Sequence, residues 1–329
     1  PGVVVKFEYQ PSSYAKRRLL VDGALLAQGT AVSPIIFTSS RDDDDAHGGD
    51  TNGDGTLTLP AKGDWGYVKV SNSGSVIEHA EFWYGGVRID DYTHNYQMLW
   101  VAGPGGALDI RNCEFHSAYD KALYFQNIDE SVTVANNVFI DSTYGLYYQE
   151  NGVFELDSLI QENHFENNSY GVYVADGDPT FLSNNFQNSS SYGLHNTGGH
   201  SLDAQYNWWG SDTGPTHPSN PTGVGDQVSD DIDFSLYLDS PFDANNPPTA
   251  PAIDLLPYDP VSEDDLDCGI VSESHDADGD PVEYTYEWQT QSKDIRRGPK
   301  ADLTDTLDSN ETATGETWTW VVTPTDGFE

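Results

Sequence analysis

One short pattern recurs along the middle of the chain, and it limits the possible folds more than any other feature of the sequence. The stretches NNVFIDSTYGLYYQE, ENHFENNSYGVYVAD and NNFQNSSSYGLHNTG begin at Asn136, Glu162 and Asn184. Each has an aromatic residue near its start, and counted from Phe115 in an earlier copy these residues stand 24, 26 and 21 positions apart. Such a period is typical of a solenoid, in which each copy of the repeat forms one coil of the backbone.

An asparagine stands two residues before the aromatic residue in most copies. The equivalent positions hold Cys113, Asn137, Asn163, Asn184 and Asn207. An asparagine side chain has two donors and one acceptor group, so asparagines stacked at one turn of successive coils can bond one another and the turn backbone. We therefore expect Asn137, Asn163, Asn184 and Asn207 to form a structural ladder inside the solenoid.

The second half of each repeat predicts strands. Ala122, Gly145, Gly171 and Gly193 are each followed by alternating residues, the pattern of a strand with one buried face. We expect the glycines to form tight corners with a positive φ. The segments between corners are too short for helices, so we expect three short strands per coil, each paired in parallel with the next coil. A β-sandwich also has short strands and turns, but it does not require a constant aromatic and asparagine register.

Several stretches resemble a known group of proteins. PGVVVKF, LLVDGALLAQGT with PIIFTSS, and GDWGYVKV resemble the opening coils of right-handed parallel β-helix proteins of the pectate-lyase-like superfamily, as found in bacterial extracellular proteins. NWWGSDTGPTHPSNPTGVGDQVSDDIDFSLYL is similar to their closing segment. The resemblance implies a parallel β-helix over residues 1–240, with an acidic insert at about 41–62, a second insert at about 90–106 and a closing segment at 207–240. It leaves the function open, because the same scaffold carries lyases, glycosidases, adhesins and structural rods.

The composition changes after Asp239. Residues 241–250 are rich in Pro and Asn and predict a semi-rigid linker. Residues 251–329 contain alternating strands, and DDLDCGIVSESHDADGDPVEYTYEW resembles the immunoglobulin-like, PKD-like or cadherin-like modules of bacterial surface proteins. The predicted fold class is therefore all-β, with a right-handed parallel β-helix solenoid followed by a small C-terminal β-sandwich.

Two features of this C-terminal region depart from that resemblance. Cys268 lacks the expected partner cysteine, since the strand that should hold it has Trp318 and Trp320 instead. Packing of Trp320 against Trp288 is one explanation, and an intermolecular disulfide is the other. The sandwich is also expected to lack its last strand after the turn that precedes Glu329. Either the natural polypeptide continues, or a neighbouring molecule supplies the strand and joins subunits into filaments or arrays.

The charge of the chain restricts its partners. It has 54 acidic and 14 basic residues, and its formal charge of -40 repels nucleic acid and anionic membrane surfaces. No apolar run is long enough to span a bilayer. The acidic, lysine-poor composition favours an extracellular or cell-surface location. We expect like subunits or other cell-surface proteins as partners, with polysaccharide as an alternative partner.

Calcium is the predicted cofactor, and the acidic insert holds the first candidate site. In DTNGDGT the first, third and fifth positions of a calcium loop are Asp50, Asn52 and Asp54. The twelfth position, which is Glu in a complete loop, is Ala61. We therefore expect one of Asp42 to Asp45, or Asp64, to complete the shell.

The second candidate calcium site lies in the C-terminal region. The stretch DADGDP has the same alternation of carboxylates in Asp276, Asp278 and Asp280. For both sites the alternative is an Asp-Gly turn whose carboxylates are simply solvated.

Three functions fit this organisation, and an extracellular structural or adhesive rod fits it best. A polysaccharide-binding module would use exposed aromatic residues such as Tyr147, Tyr148 and Tyr173, although strand alternation turns about half of them inward. A polysaccharide lyase or glycoside hydrolase would need a base and carboxylates on one face. The sequence does not place the available residues together, so we assign no catalytic residue; they are Arg88, Arg111, Lys121, Asp90, Asp91, Asp109 and Asp120.

Overall fold

The protein is almost wholly β. The computed structural model describes residues 2–12, 16–71, 74–87, 96–102, 108–150, 152, 156–242, 248–275, 282–290 and 293–325. The chain divides into two compact units, Pro1–Phe242 and Asp243–Glu329. Over the described ranges the only helical element is the 3₁₀ turn Asp45–His47, and no helix there is long and apolar enough to cross a membrane.

Three parallel sheets, here named A, B and C, build the N-terminal unit, and the chain passes through them in turn. Sheet A contains Val4–Phe7, Ile35–Ser39, Ala80–Trp83, Glu114–His116, Val138–Ile140, His164–Glu166 and Asn185–Gln187. Sheet B contains Leu19–Val21, Val68–Val70, Gln97–Ala102, Lys121–Ile128, Tyr144–Glu150, Tyr170–Asp176 and Tyr192–Asn196. Sheet C contains Leu26–Gln28, Val76–Glu78, Leu108–Arg111, Val132–Ala135, Leu159–Gln161 and Thr180–Leu182. The prediction of an all-β solenoid with parallel strands is confirmed.

A column of stacked aromatic rings fills the solenoid and explains why the aromatic residue repeats. Neighbouring rings have centroids 4.6 to 5.0 Å apart and planes within 3 to 9° of parallel. This spacing is close to the separation of paired strands, about 4.8 Å, so each coil adds one ring to the stack. The column consists of Phe37, Phe82, Phe115, Phe139, Phe165, Phe186 and Trp209, all buried.

The predicted asparagines lie directly above one another at the corner between sheets C and A. The Nδ2 of Asn137 donates to the Oδ1 of Asn163, that of Asn163 to Asn184, and that of Asn184 to Asn207, each over 2.9 Å. Every Nδ2 also donates to a backbone carbonyl, such as that of Ile110 for Asn137. All four side chains are buried, so the hydrogen bonds satisfy amides that solvent does not reach.

The glycines of the repeat have a different role from the predicted one. Gly145, Gly171 and Gly193 do not adopt a positive φ. A Cβ at Gly145 would lie 2.7 Å from the carbonyl oxygen of Gly171, and one at Gly171 would lie 2.6 Å from that of Gly193. Glycine is required because successive coils approach closely there. The left-handed corners fall instead on single residues before the ladder, such as Asn136 (φ 55°) and Glu162 (φ 57°).

The closing segment covers the end of the solenoid. Three short strands of this segment form parallel pairs: Ile232–Asp233 pairs with Leu202–Asp203, which precedes the segment, and Pro215–Thr216 pairs with Gly225–Gln227. Trp209 ends the aromatic column by stacking on Phe186, with centroids 4.6 Å apart.

The C-terminal unit has two three-stranded antiparallel sheets. One runs in the order Ala252–Leu256, Leu266–Ser272, Thr304–Leu307, and the other Asp294–Lys300, Glu283–Gln289, Thr319–Thr325. The prediction of small antiparallel sheets at this end of the chain is confirmed. Over the part of this unit that the structure describes, Thr319–Thr325 pairs with Glu283–Gln289 alone.

Cys268 lies in the core of this unit. Its side chain is fully buried, and burial raises the pKa of the thiol to about 11. Trp288 and Trp320 are paired residues on neighbouring strands and pack into the same cluster. A buried, protonated thiol cannot reach a second molecule without opening the core, which favours aromatic packing over an intermolecular disulfide.

Candidate functional site

The outer surface of sheet B carries rows of aromatic side chains. Successive residues of a strand point to opposite faces, so the buried leucines of this sheet alternate with outward residues. The parallel register aligns these outward residues from coil to coil. We name them the aromatic face: Trp100, Tyr124, Tyr147, Tyr173 and His195 in one row, and Tyr144, Tyr170 and Tyr192 in a second. Trp100 and Tyr124 are buried, so the accessible part of the face begins at Tyr147.

The rings of the aromatic face pack against one another along and across the rows. Along the rows, Tyr147 stacks on Tyr173 with centroids 4.8 Å apart, and Tyr144 stacks on Tyr170 at 4.9 Å. Across the rows, Tyr144 meets Tyr147 edge to face at 5.4 Å. This mutual packing fixes ring positions without burying the rings completely, since these four tyrosines remain partly exposed.

The tyrosine hydroxyls of this face are neutral hydrogen-bonding groups. Burial raises the pKa of Tyr124, Tyr144 and Tyr147 to about 12. These phenols therefore keep their protons at neutral pH and can both donate and accept hydrogen bonds. The Tyr124 hydroxyl already donates to the Oε1 of Gln149 over 3.0 Å.

Two lysines give the aromatic face positive charge. The Nζ of Lys121 lies 5.0 Å from the ring centroid of Tyr147 and 2.7 Å from the Oδ2 of Asp120. The Nζ of Lys69 lies 4.0 Å from the ring centroid of Trp100. Both ammonium groups sit within cation–π range of the rings. The face therefore combines apolar ring edges with fixed polar groups, a combination that can hold a sugar by van der Waals contact and by hydrogen bonds.

Strand alternation separates the tyrosines that the sequence grouped together. Tyr147 and Tyr173 lie on the aromatic face, whereas Tyr148 is fully buried in the solenoid. The Tyr148 hydroxyl donates to the Oε1 of Glu150 over 2.6 Å. Tyr148 is therefore a core residue and not part of a binding surface.

The residues considered for catalysis do not share one face. Arg111 lies on sheet C, with its Nε 3.7 Å from the Oδ2 of Asp109. Lys121 and Asp120 lie beside the aromatic face of sheet B. Arg88, Asp90 and Asp91 lie outside the described residues.

The acidic insert brings three carboxylates together. Asp43, Asp50 and Asp54 each offer an oxygen, and these oxygens lie within 4.8 Å of one another. The Oδ1 of Asp50 accepts from the N–H of Gly53 and its Oδ2 from the N–H of Gly55. The Nδ2 of Asn52 donates to Asp54, so Asn52 supports this cluster from within the loop.

The other carboxylates considered for the calcium shell have partners elsewhere. Asp42 accepts from Thr38 over 2.5 Å and pairs with the Nδ1 of His47 at 2.7 Å. Asp64 accepts from Ser39 over 2.8 Å and pairs with Arg41 at 3.3 Å. Among the candidates Asp42 to Asp45 and Asp64, Asp43 is therefore the one whose carboxylate lies beside Asp50 and Asp54. Of the second motif, Asp276, Asp278 and Asp280 lie outside the described residues.

A further group of ionisable residues on the outer face of sheet A was not singled out by the sequence. His47 has its Nε2 3.6 Å from the Oε2 of Glu81, and His116 has its Nε2 2.8 Å from the Oε2 of Glu114. The Trp83 ring lies between the histidines and stacks on His116 with centroids 3.7 Å apart. Hydrogen bonding to Asp42 raises the pKa of His47, while hydrogen bonding to His116 lowers that of Glu114. The pair of His47 and Glu81 attaches the insert to sheet A, whereas His116 and Glu114 lie on one strand of that sheet.

Comparison with known proteins identifies the solenoid. No curated protein matches the chain. A protein-family model described as right handed beta helix region matches residues 66–208. This match, together with three parallel sheets wound through successive coils, shows that the N-terminal unit has the fold of a right-handed parallel β-helix.

Proposed function

We propose that this protein is an extracellular adhesive β-helix that binds polysaccharide chains along the aromatic face of sheet B. The observation that carries the proposal is the repetition of outward aromatic rings over successive coils, with centroids about one strand spacing apart. Stacking within the rows covers the ring faces, so a sugar lies along the outward ring edges and its hydroxyls bond to the tyrosine hydroxyls. A repeated row of such rings suits a repeated ligand.

The position of the polar groups supports binding rather than cleavage. Lys121 and Asp120 form an ion pair at 2.7 Å beside the aromatic face, which leaves neither as a free base or acid. The other described residues considered for catalysis, Arg111 and Asp109, are on another sheet. We therefore propose recognition without turnover, at the surface of the source cell. Assembly with like subunits through the edge of Thr319–Thr325 stays a prediction.

The test removes two stacked rings from the centre of the face. In Tyr147→Ala/Tyr173→Ala, affinity for polysaccharide should fall at least about tenfold, because two aromatic contacts of about 1 kcal/mol each are lost. Affinity electrophoresis and calorimetry with alginate, pectin, hyaluronan and a neutral glucan provide the measurement. Circular dichroism confirms that the variant keeps its sheet content.

Tyr206→Ala is the matched control. Tyr206 is 48% exposed. It directly precedes Asn207, the last asparagine of the ladder, and is not part of sheet B. It should bind as the wild type does. If the wild type binds none of these polysaccharides, or if both variants bind equally, the proposed function is wrong. Release of oligosaccharides by the wild type would replace adhesion with an enzymatic function.

A further inference from the structure

We propose that Asp43, Asp50 and Asp54 bind one calcium ion, which joins the loop 50–54 to Asp43 at the start of the acidic insert. One oxygen from each residue lies within 4.8 Å of the other two. That limit is about twice a Ca–O distance of about 2.4 Å, so a single ion can reach all three oxygens. The inference does not depend on the function proposed for the aromatic face.

The Asp43 side chain provides independent evidence for a ligand. Both of its carboxylate oxygens are shielded from solvent and have no hydrogen-bond partner among the described residues. A carboxylate that is neither solvated nor hydrogen-bonded is unfavourable unless a cation is bound. A cation bound between the three carboxylates supplies the missing partner.

The local charge favours a divalent ion. Lys6 is the basic residue that lies beside the insert. Its ammonium group donates to the backbone carbonyls of Asp42 and Gly49 rather than to the Asp43 carboxylate. Three carboxylates and one ammonium leave two negative charges, which one divalent ion neutralises. Because Lys6 belongs to strand Val4–Phe7, its hydrogen bonds hold the insert to sheet A, and the ion holds the loop to Asp43.

The loop favours calcium over magnesium. Backbone N–H groups of Gly53 and Gly55 hold Asp50 at 2.7 and 2.8 Å, so this ligand is already oriented. Water molecules and the second oxygens of the carboxylates fill the remaining coordination positions of the ion. Calcium accepts such irregular, partly bidentate sets of six to eight oxygens, whereas magnesium requires a compact octahedron at about 2.1 Å.

The experiment measures calcium binding and thermal unfolding of the full chain. After EDTA treatment, added Ca²⁺ should raise the Tm of the wild type and displace Tb³⁺ from a luminescent site. In Asp43→Asn the Ca²⁺ concentration for half-maximal displacement should rise at least about tenfold, because one of three charged ligands is lost. Asp54→Asn should show the same change and serves as the second variant should Asp43→Asn fold poorly.

Asp45→Asn is the control, since it removes the same charge from an exposed position in the same insert. It should keep the calcium dependence of the wild type. All of these variants retain Asp276, Asp278 and Asp280, so calcium bound there contributes equally to each. If Asp43→Asn and Asp54→Asn respond to Ca²⁺ as the wild type does, or if Asp45→Asn loses the response as well, the proposal is wrong. Equal restoration of the wild type by Mg²⁺ would also overturn the assignment to calcium.

Discussion

Asn163 shows how one side chain connects three coils. Its Oδ1 accepts from the backbone N–H and the side chain of Asn137, and its Nδ2 donates to Asn184 and to the carbonyl of Val134. In Asn163→Ala these groups lose their partners in a region that solvent does not reach. The free energy of unfolding should fall by about 1–3 kcal/mol, the cost of leaving buried polar groups unpaired. Urea denaturation measures this change.

The neighbouring residue provides the comparison for Asn163. His164 begins the strand that follows Asn163, and its side chain is 30% exposed. His164→Ala should change the stability by less than Asn163→Ala. Equal losses in the free energy of unfolding in the two variants would show that the buried Asn163 amide adds no more stability than an exposed side chain.

Single residues also mark where prediction from sequence succeeds and where it stops. The asparagine ladder was predictable, because amides two residues before an aromatic ring recur in the same phase as the coils. The partial exposure of Tyr147 and the burial of Tyr148 were not predictable. Tyrosine is compatible with either face of a strand, and the sequence does not show which alternate residues point inward. The sequence left the residue that completes the calcium shell open among the run Asp42 to Asp45 and Asp64. The contacts of Asp42 with His47 and Thr38 select among them, and those contacts exist only in the folded insert.

Strand Tyr144–Glu150 of sheet B ends in an unusual way, with a buried acid. Glu150 is 2% exposed, and its Oε2 has no hydrogen-bond partner over the described residues. Burial, and then the nearby Asp178 and Asp176, raise its pKa above the usual 4.5, although the Tyr148 hydroxyl partly opposes this. The folded state therefore holds a proton more tightly than the unfolded state does.

The sign of the resulting pH dependence follows from the raised pKa of Glu150. The contribution of Glu150 to the free energy of unfolding is fully present below pH 4.5, the usual pKa of the unfolded chain. It is lost as the pH rises through the higher pKa of the folded state. Glu150→Gln cannot ionise, so its Tm should exceed that of the wild type at pH 8 by more than it does at pH 4.5. Calorimetry at both values measures the difference. The exposed Glu130→Gln should show no such trend, and a constant offset for Glu150→Gln would contradict the raised pKa.

The elements themselves were largely predictable, since three strands per coil follow from the short segments between corners. The structure corrects the reason for the glycines, because Gly171 is required by the close approach of the Gly193 carbonyl and not by its own φ. That contact joins residues from different coils, so a single coil does not reveal it. The attachment of the insert through His47 and Glu81 was missed for the same reason, since the two residues come from separate segments.

The charge of the whole chain acts on its stability as a long-range effect. A formal charge of -40 on 329 residues means that folded carboxylates repel one another over distances that exceed a single contact. Salt shortens the range of this repulsion, from about 30 Å at 0.01 M to about 3 Å at 1 M. Compact states gain more from screening than extended ones, because unfolding already separates the charges.

Thermal unfolding should therefore depend on NaCl in a pH-dependent manner. At pH 7, with EDTA present to remove divalent ions, the Tm should rise by about 3 °C or more between 0.01 and 1 M NaCl, the effect of about 1 kcal/mol in a protein of this size. Near the isoelectric point of about 4.1 the rise should be much smaller, because the net charge is close to zero. Na₂SO₄ at equal ionic strength separates screening from the salting-out of apolar surface, which persists at both pH values. A Tm that rises equally at pH 4.1 and pH 7 would show that salting-out of apolar surface causes the rise. Charge repulsion would then not limit the stability of this protein.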